Sequence, residues 1–280
     1  MKNRINNVGP RAAIIILLLN LVQFHCKAQT TLLTNGFAHN DYLHKRPLLD
    51  ALDNGFMNIE ADIFLKGNKL VVAHVFPFFK RKRTLEALYF RPLSERVATN
   101  NGSVFAGYSK PIILMIDIKT GADNTYRVLV PLLEKYRSML TGIENGKIVY
   151  RSVTVVLSGH KPYNLIETSQ NRLAFIDEDL RRVNRDTSYT NVFTLASCKY
   201  SKLISWDGNG LFPEQERAKL CAFVAIAHRQ GEKVRLWASP ERKIVWDELL
   251  KCGVDLINTD HLTALRDYLN LSHVTYAKVE

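Results

Sequence analysis

The sequence predicts a single closed (β/α)8 barrel of the TIM type. Three observations carry this. Eight apolar, β-branched runs alternate for the most part with helical patterns. No glycine fingerprint follows the first run, which argues against an open doubly wound sheet. Chemistry-bearing polar residues recur where those runs end, as they do at the carboxyl-terminal face of such a barrel. The 280 residues, 46% of them hydrophobic and 23% charged, are ample for one core of this size.

The first residues stand apart from the barrel. Lys2, Arg4 and Arg11 precede the run Ala12–Leu19, and Cys26-Lys27-Ala28 places small residues before Gln29. This is the pattern of a secretory signal peptide over 1–28, and its apolar core is too short for a membrane span. Cleavage would remove four basic residues and no acid, taking the formal charge from +11 to +7. The expected location is secreted, periplasmic or in the cell envelope. A basic mature chain can attract anionic membrane surfaces or phosphorylated small molecules, whereas no nucleic-acid partner is expected. The one dense basic run, Lys80–Arg83, is read as a solvated loop or a contact for such a surface.

The barrel is expected over 31–272, with no proline-rich or serine-rich linker inside it. Its strands are read at Leu33–Ala38, Met57–Ile63, Ile112–Ile118, Val153–Leu157, Leu173–Ile176, Lys202–Trp206, Val234–Ala238 and Val254–Asn258. Leu70–Ala73 adds an outlying strand after a turn at Lys66-Gly67-Asn68. Helices are read at Pro47–Asn54, Thr125–Leu140, Pro213–Gln230, Pro240–Cys252 and Leu262–Leu269, several of them stopped by glycine. Asp179–Tyr200 carries no clear pattern. After cleavage three cysteines remain, so at least one is unpaired within the chain; core burial is expected for Cys221 and Cys252.

Alternate residues of a strand point the same way, so Glu60 and Asp62 share a face. Asp117-Ile118-Lys119 repeats that alternation on the following barrel strand. Three converging carboxylates without cysteine suit a hard divalent cation, Mg2+ or Ca2+. His39 and His74 each follow a short apolar run, where a strand delivers them to the same edge; Asn40 and Asp41 are placed to orient the His39 ring. Ser158, Asp177, Asp207, Trp237 and Asp260 also fall at or just beyond strand ends. Two imidazoles beside a carboxylate-bound cation can serve as base and acid on a phosphodiester. A glycosidase would need its two carboxylates on opposite faces of a sugar, and Leu157-Ser158-Gly159-His160 is no nucleophile elbow.

The blocks Phe37-Ala38-His39-Asn40-Asp41-Tyr42, Asn54-Gly55-Phe56, Ile59-Glu60-Ala61-Asp62, Leu70–His74 and Ile116-Asp117-Ile118-Lys119 resemble the glycerophosphodiester phosphodiesterase / phosphatidylinositol phospholipase C-like superfamily. The resemblance is closest to the branch named after the yeast "altered inheritance of mitochondria" protein six. Later segments agree, including Ile204–Gly208, Val234–Pro240 and Gly253–Asp260. The resemblance implies that His39 and His74 form the acid–base pair. It further implies that Glu60, Asp62 and Asp117 hold the metal and that Lys119 contacts the phosphate. Asn40 and Trp237 join the substrate side, against a small-molecule or lipid-headgroup phosphodiester. The superfamily's His-Arg-Gly is His39-Asn40-Asp41 here, and its usual third glutamate is Asp117, which leaves the substrate open. The alternatives are a non-catalytic barrel that binds phosphorylated ligands and a surface protein acting through its basic loop.

Overall fold

The computed structural model describes residues 31–75, 83–183 and 192–276; the signal-peptide reading and most of the Lys80–Arg83 run lie outside them. Eight parallel strands form a closed barrel. They are β1 (Leu33–Ala38), β2 (Phe56–Lys66), β4 (Ile112–Ile118), β7 (Val153–Gly159), β8 (Phe175–Asp179), β9 (Phe193–Lys199), β10 (Lys233–Trp237) and β11 (Leu256–Thr259). Around the ring they run β1-β2-β4-β7-β8-β9-β10-β11, and β11 pairs again with β1. The strand β3 (Lys69–Val72) returns antiparallel on β2 as the outlying hairpin that the turn at Gly67 implies.

Each strand divides its residues between two layers. On β2, Ile59, Ala61 and Ile63 pack outward beneath the helices, while Asn58, Glu60 and Asp62 share the opposite, inward parity. The barrel interior is filled by Phe37, Ile113, Met115, Val156, Phe175, Leu195 and Leu256. Ile143 joins them from a short hairpin, β5 (Gly142–Glu144) and β6 (Lys147–Val149), which precedes β7 and plugs the amino-terminal end. The interior is therefore apolar at one end and polar at the other.

The helices are α1 (Leu49–Asp53), α2 (Arg91–Thr99), α3 (Ala122–Lys135), α4 (Tyr163–Glu167), α5 (Glu214–Arg229), α6 (Lys243–Lys251) and α7 (Leu262–Tyr276). Among the described residues none is long and apolar enough to cross a membrane. The segment leading into α2 was not expected. A π-helical turn, Glu86–Phe90, runs directly into it and Pro92 occupies its first turn, so the helical period is broken where a sequence reading would look for it.

Three further expectations need correction. Lys202–Trp206 is not a strand: Tyr200–Lys202 is a 3-10 turn, and Ile204 and Trp206 are buried from a loop. The sixth barrel strand is β9, within the stretch that carried no pattern. Its inward residues Ser197 and Lys199 are polar and its outward Ala196 is small, so it shows no β-branched run. The strand read at Leu173–Ile176 begins two residues later and includes Asp177. Finally, Cys221 and Cys252 are not simply buried thiols. They form a disulfide tying α5 to the end of α6, and among the described residues Cys198 is buried and free.

Candidate active site

The carboxyl-terminal ends of the strands surround a cavity of about 540 Å3. His39, Asn40, Glu60, Asp62, His74, Asp117, Lys119 and Trp237 all line it, together with Ser158 and Asp177. Asp207 does not, because the segment it ends is no strand; its carboxylate instead binds Asn209 in the following loop. Among the described residues His160 also lies off the lining, where Gly159 takes its place.

The carboxylates meet because of register. Asp62 pairs with Asp117 across β2 and β4, and Asp117 with Ser158 across β4 and β7. Glu60 sits one inward step deeper. One oxygen from each of Glu60, Asp62 and Asp117 lies within 4.8 Å of the others. Burial and the negative charge of Glu60 push the Asp62 carboxyl up to about 6, against the Tyr42 hydrogen bond and Lys119. Burial also opposes the charge of Glu60, but Arg235 and His39 outweigh it and hold that carboxyl below its ordinary range.

Two cations answer these three acids. Lys119 Nζ lies 2.7 Å from Asp117 Oδ2 and 3.1 Å from Asp62 Oδ2. Its ammonium loses hydration by burial, yet the two carboxylates raise its proton affinity above the ordinary lysine value. Arg235, buried in the barrel, places Nη2 3.1 Å from Glu60 Oε1 and Nε 2.8 Å from Asn258 Oδ1. Its guanidinium stacks 3.9 Å above the Phe37 ring. One acid charge remains unanswered, and Asp117 Oδ1 is buried with no hydrogen-bond partner. An all-oxygen donor set with spare negative charge and an unsatisfied carboxylate oxygen fits a hard divalent cation.

Gly159 makes this arrangement possible. Its φ of +69° is left-handed, and a Cβ there would stand 2.1 Å from Asp117 Oδ1 and 2.5 Å from the Ile118 carbonyl oxygen.

The two histidines are held differently. His39 Nδ1 lies 2.7 Å from Asp260 Oδ1. The Asp260 carboxyl is held below its ordinary value by that hydrogen bond, despite partial burial. An ionised carboxylate only accepts, so Nδ1 donates to Asp260, and Nε2 faces the carboxylate trio, 3.5 Å from Glu60 Oε2. Asn40, with φ 49°, turns left-handed immediately after His39 and donates its amide to Asp260 at 3.2 Å. The Asn40 backbone N–H reaches Glu60 Oε2 at 3.3 Å. Asp41 takes no part in orienting the ring; it faces away from the cavity and accepts from Leu48 N–H and the Tyr89 hydroxyl. His74, on the exit from β3, is mostly exposed and its Nδ1 lies 3.0 Å from the Tyr42 hydroxyl.

Tyr42 is a site residue whose role the sequence did not reveal. Its hydroxyl donates to Asp62 Oδ2 at 2.7 Å and so links the carboxylates to His74. Burial and that carboxylate raise its proton affinity, so it is a neutral phenol. Arg235 was missed too. An arginine two residues before Trp237 inside an apolar run was the available signal, since both then face the barrel interior.

Comparison with known proteins agrees with this geometry. The model of the AIM6-like phosphodiesterase domain matches residues 29–177, and that of the glycerophosphoryl diester phosphodiesterase family matches 233–263. The chain is 30% identical over 270 residues to "Altered inheritance of mitochondria protein 6" of Eremothecium gossypii, covering 84% of this chain and 69% of that one. It is 28% identical to a homolog from Arthroderma benhamiae, with 82% of each chain covered. A crystal structure of a glycerophosphodiester phosphodiesterase from Parabacteroides distasonis shares the fold. It has a TM-score of 0.51 and 14% identity, and the match covers 86% of this chain and 98% of that one. The chain belongs to the AIM6-like phosphodiesterase domain family, within the glycerophosphodiester phosphodiesterase superfamily.

Proposed function

We propose that this protein is an exported, metal-dependent phosphodiesterase that hydrolyses a glycerophosphodiester or a phospholipid-headgroup phosphodiester. The observation that carries the reading is the approach of His39, His74 and the trio Glu60, Asp62 and Asp117 to one cavity. The trio would hold Mg2+ or Ca2+, which when bound offsets negative charge on the non-bridging phosphate oxygens. His39 acts as base. Asp260 holds its Nδ1 proton, so Nε2 takes the proton from the attacking oxygen, of water or of a substrate hydroxyl, as that oxygen bonds to phosphorus. His74 gives a proton to the leaving alcohol as the P–O bond breaks, and Tyr42 fixes its ring. Lys119 adds positive charge beside the phosphate, Asn40 keeps His39 and Asp260 aligned, and Trp237 offers a half-exposed aromatic face to the headgroup.

Export rests on residues 1–28 as a signal peptide, with 31–272 as the working domain. The Cys221–Cys252 disulfide accords with an oxidising compartment, whether outside the cell, in a periplasm or in the cell envelope. The basic mature chain suits an anionic membrane surface as a partner, and lipid metabolism as its setting.

The test is turnover of a headgroup panel by the purified protein with Mg2+ or Ca2+, after EDTA, and after add-back. His39→Ala and His74→Ala are each expected to lower kcat by about 10^2–10^4-fold without unfolding the barrel. EDTA should abolish turnover and add-back restore it. If the metal-loaded protein cleaves nothing in the panel, the barrel is a binding module for phosphorylated ligands instead.

A further inference from the structure

The cavity is larger than one phosphate requires, and its charges are divided between two arcs. Glu60, Asp62 and Asp117 come from β2 and β4, and Asp260 flanks them from the loop after β11. The opposite arc, from β7, β8 and β9, carries Asp177 and Asp179 and adds four cations to the same lining, Lys161, Arg181, Lys199 and Lys202. In the ring of eight, β9 is four strands from β2 in either direction, so Lys199 stands diametrically across the mouth from the carboxylate strand.

These cations differ in what occupies them. Arg181 is committed to Asp179. Lys161 donates to the backbone carbonyl of Asp177 at 2.6 Å, and Lys199 lies 5.8 Å from the centre of the Trp237 ring. Among the described residues no carboxylate is within ion-pair distance of Lys161, Lys199 or Lys202. Lys119, by contrast, is held by two. The charge of Lys161 is shared with Asp177 and Asp179, which leaves Lys199 and Lys202 as the two ammonium groups on this wall without a carboxylate partner, and they create a positive field that an anion would satisfy.

We propose that this arc is a second anion subsite, and that the preferred substrate is a phosphodiester carrying an additional phosphate or carboxylate on its headgroup. The proposal rests on the hydrolytic reading of the same cavity. With the reacting phosphodiester at the carboxylate arc, the headgroup extends past Trp237, and its second anion meets Lys199 and Lys202, with Lys161 deeper in the wall. The strand geometry keeps the two anions on opposite sides of the mouth. Only a molecule with both charges engages both arcs.

The experiment uses full-chain protein with Mg2+ or Ca2+ and three soluble substrates. Glycerophosphoglycerol has no second anion, glycerophosphoserine adds a carboxylate, and glycerophosphoinositol 4-phosphate adds a phosphomonoester. A roughly tenfold or larger preference in kcat/KM for one or both charged substrates over glycerophosphoglycerol is expected, and which of them is preferred identifies the anion. In Lys199→Ala/Lys202→Ala that ratio should fall to near one, and raising the salt should reduce it in the wild type. Hydrolysis of all three at equal efficiency, or a ratio unchanged in the double variant, overturns the subsite while leaving the phosphodiesterase reading intact. Calorimetric binding of glycerophosphoinositol 4-phosphate and glycerophosphoserine separates the other failure. If nothing is hydrolysed but one of them binds and the double variant loses that binding, the subsite stands and hydrolysis falls. If neither binds nor is hydrolysed preferentially, the subsite is wrong.

Discussion

Asp41 shows how one residue can follow a catalytic candidate closely and serve a separate purpose. It is fully buried, accepts hydrogen bonds from Leu48 N–H at 2.6 Å and the Tyr89 hydroxyl at 2.9 Å, and has an unpartnered Oδ1. Burial outweighs those two bonds and pushes its carboxyl up from 3.8 to about 7. Between those values the folded chain keeps a proton that the unfolded chain has released, so stability falls as the pH rises from about 4 to 7. At about 1.4 kcal/mol per unit, the loss is on the order of 4 kcal/mol. Asp41→Asn keeps the accepting oxygen and removes the titration. Urea unfolding from pH 5 to 8 is expected to show a steeper decline for the wild type than for the variant, and parallel curves would refute this account. The same residue marks the limit of local reading. His39, Glu60, Asp62, His74, Asp117 and Lys119 were legible because strand alternation and strand ends are local properties. The direction of Asp41, the Tyr42 bridge and the Arg235–Glu60 pair depend on partners 48, 20 and 175 residues away in the chain.

At the scale of elements, legibility followed composition. The strands β2, β4 and β7 announce themselves because their outward faces are continuous aliphatic stripes buried under helices. The weaker strand β9 carries Ser197 and Lys199 because the carboxyl-terminal part of its inward face builds cavity wall instead of core. A functional strand thus erases its own hydrophobic signature. The disulfide was illegible for another reason: Cys221 and Cys252 lie on different helices, and only the packing of α5 against the end of α6 brings their Cα atoms to 4.7 Å. That cross-link closes a segment with a sequence separation of 31. By loop-closure entropy it should contribute roughly 3–4 kcal/mol. Cys221→Ser/Cys252→Ser should lower the unfolding free energy by about that amount, and dithiothreitol should lower that of the wild type but not of the variant. Equal stability of the two proteins, with and without reductant, would mean the cysteines are not joined in solution.

At the scale of the molecule, barrel closure does what no segment does alone. It assembles eight strand ends into one rim, gives an apolar plug at one end, and leaves buried acids at the other with too few cations to balance them. That imbalance works against the folded state, because Glu60, Asp62 and Asp117 are held together only when the ring is closed. A divalent cation that binds the closed ring and not the unfolded chain must therefore raise the stability of the whole barrel. At a hundred times its dissociation constant the gain is about 2.7 kcal/mol, which for a chain of this size is a rise in Tm of about 5–10 °C. Calorimetric scans in EDTA, with Mg2+ or Ca2+ added in excess, and with KCl at matched ionic strength, separate specific binding from screening. The rise is expected with a divalent cation and not with KCl. It is expected to vanish in Asp117→Asn, which retains an oxygen but loses the charge. A Tm indifferent to both divalent ions in the wild type would remove the metal from this site, whatever the activity measurements show.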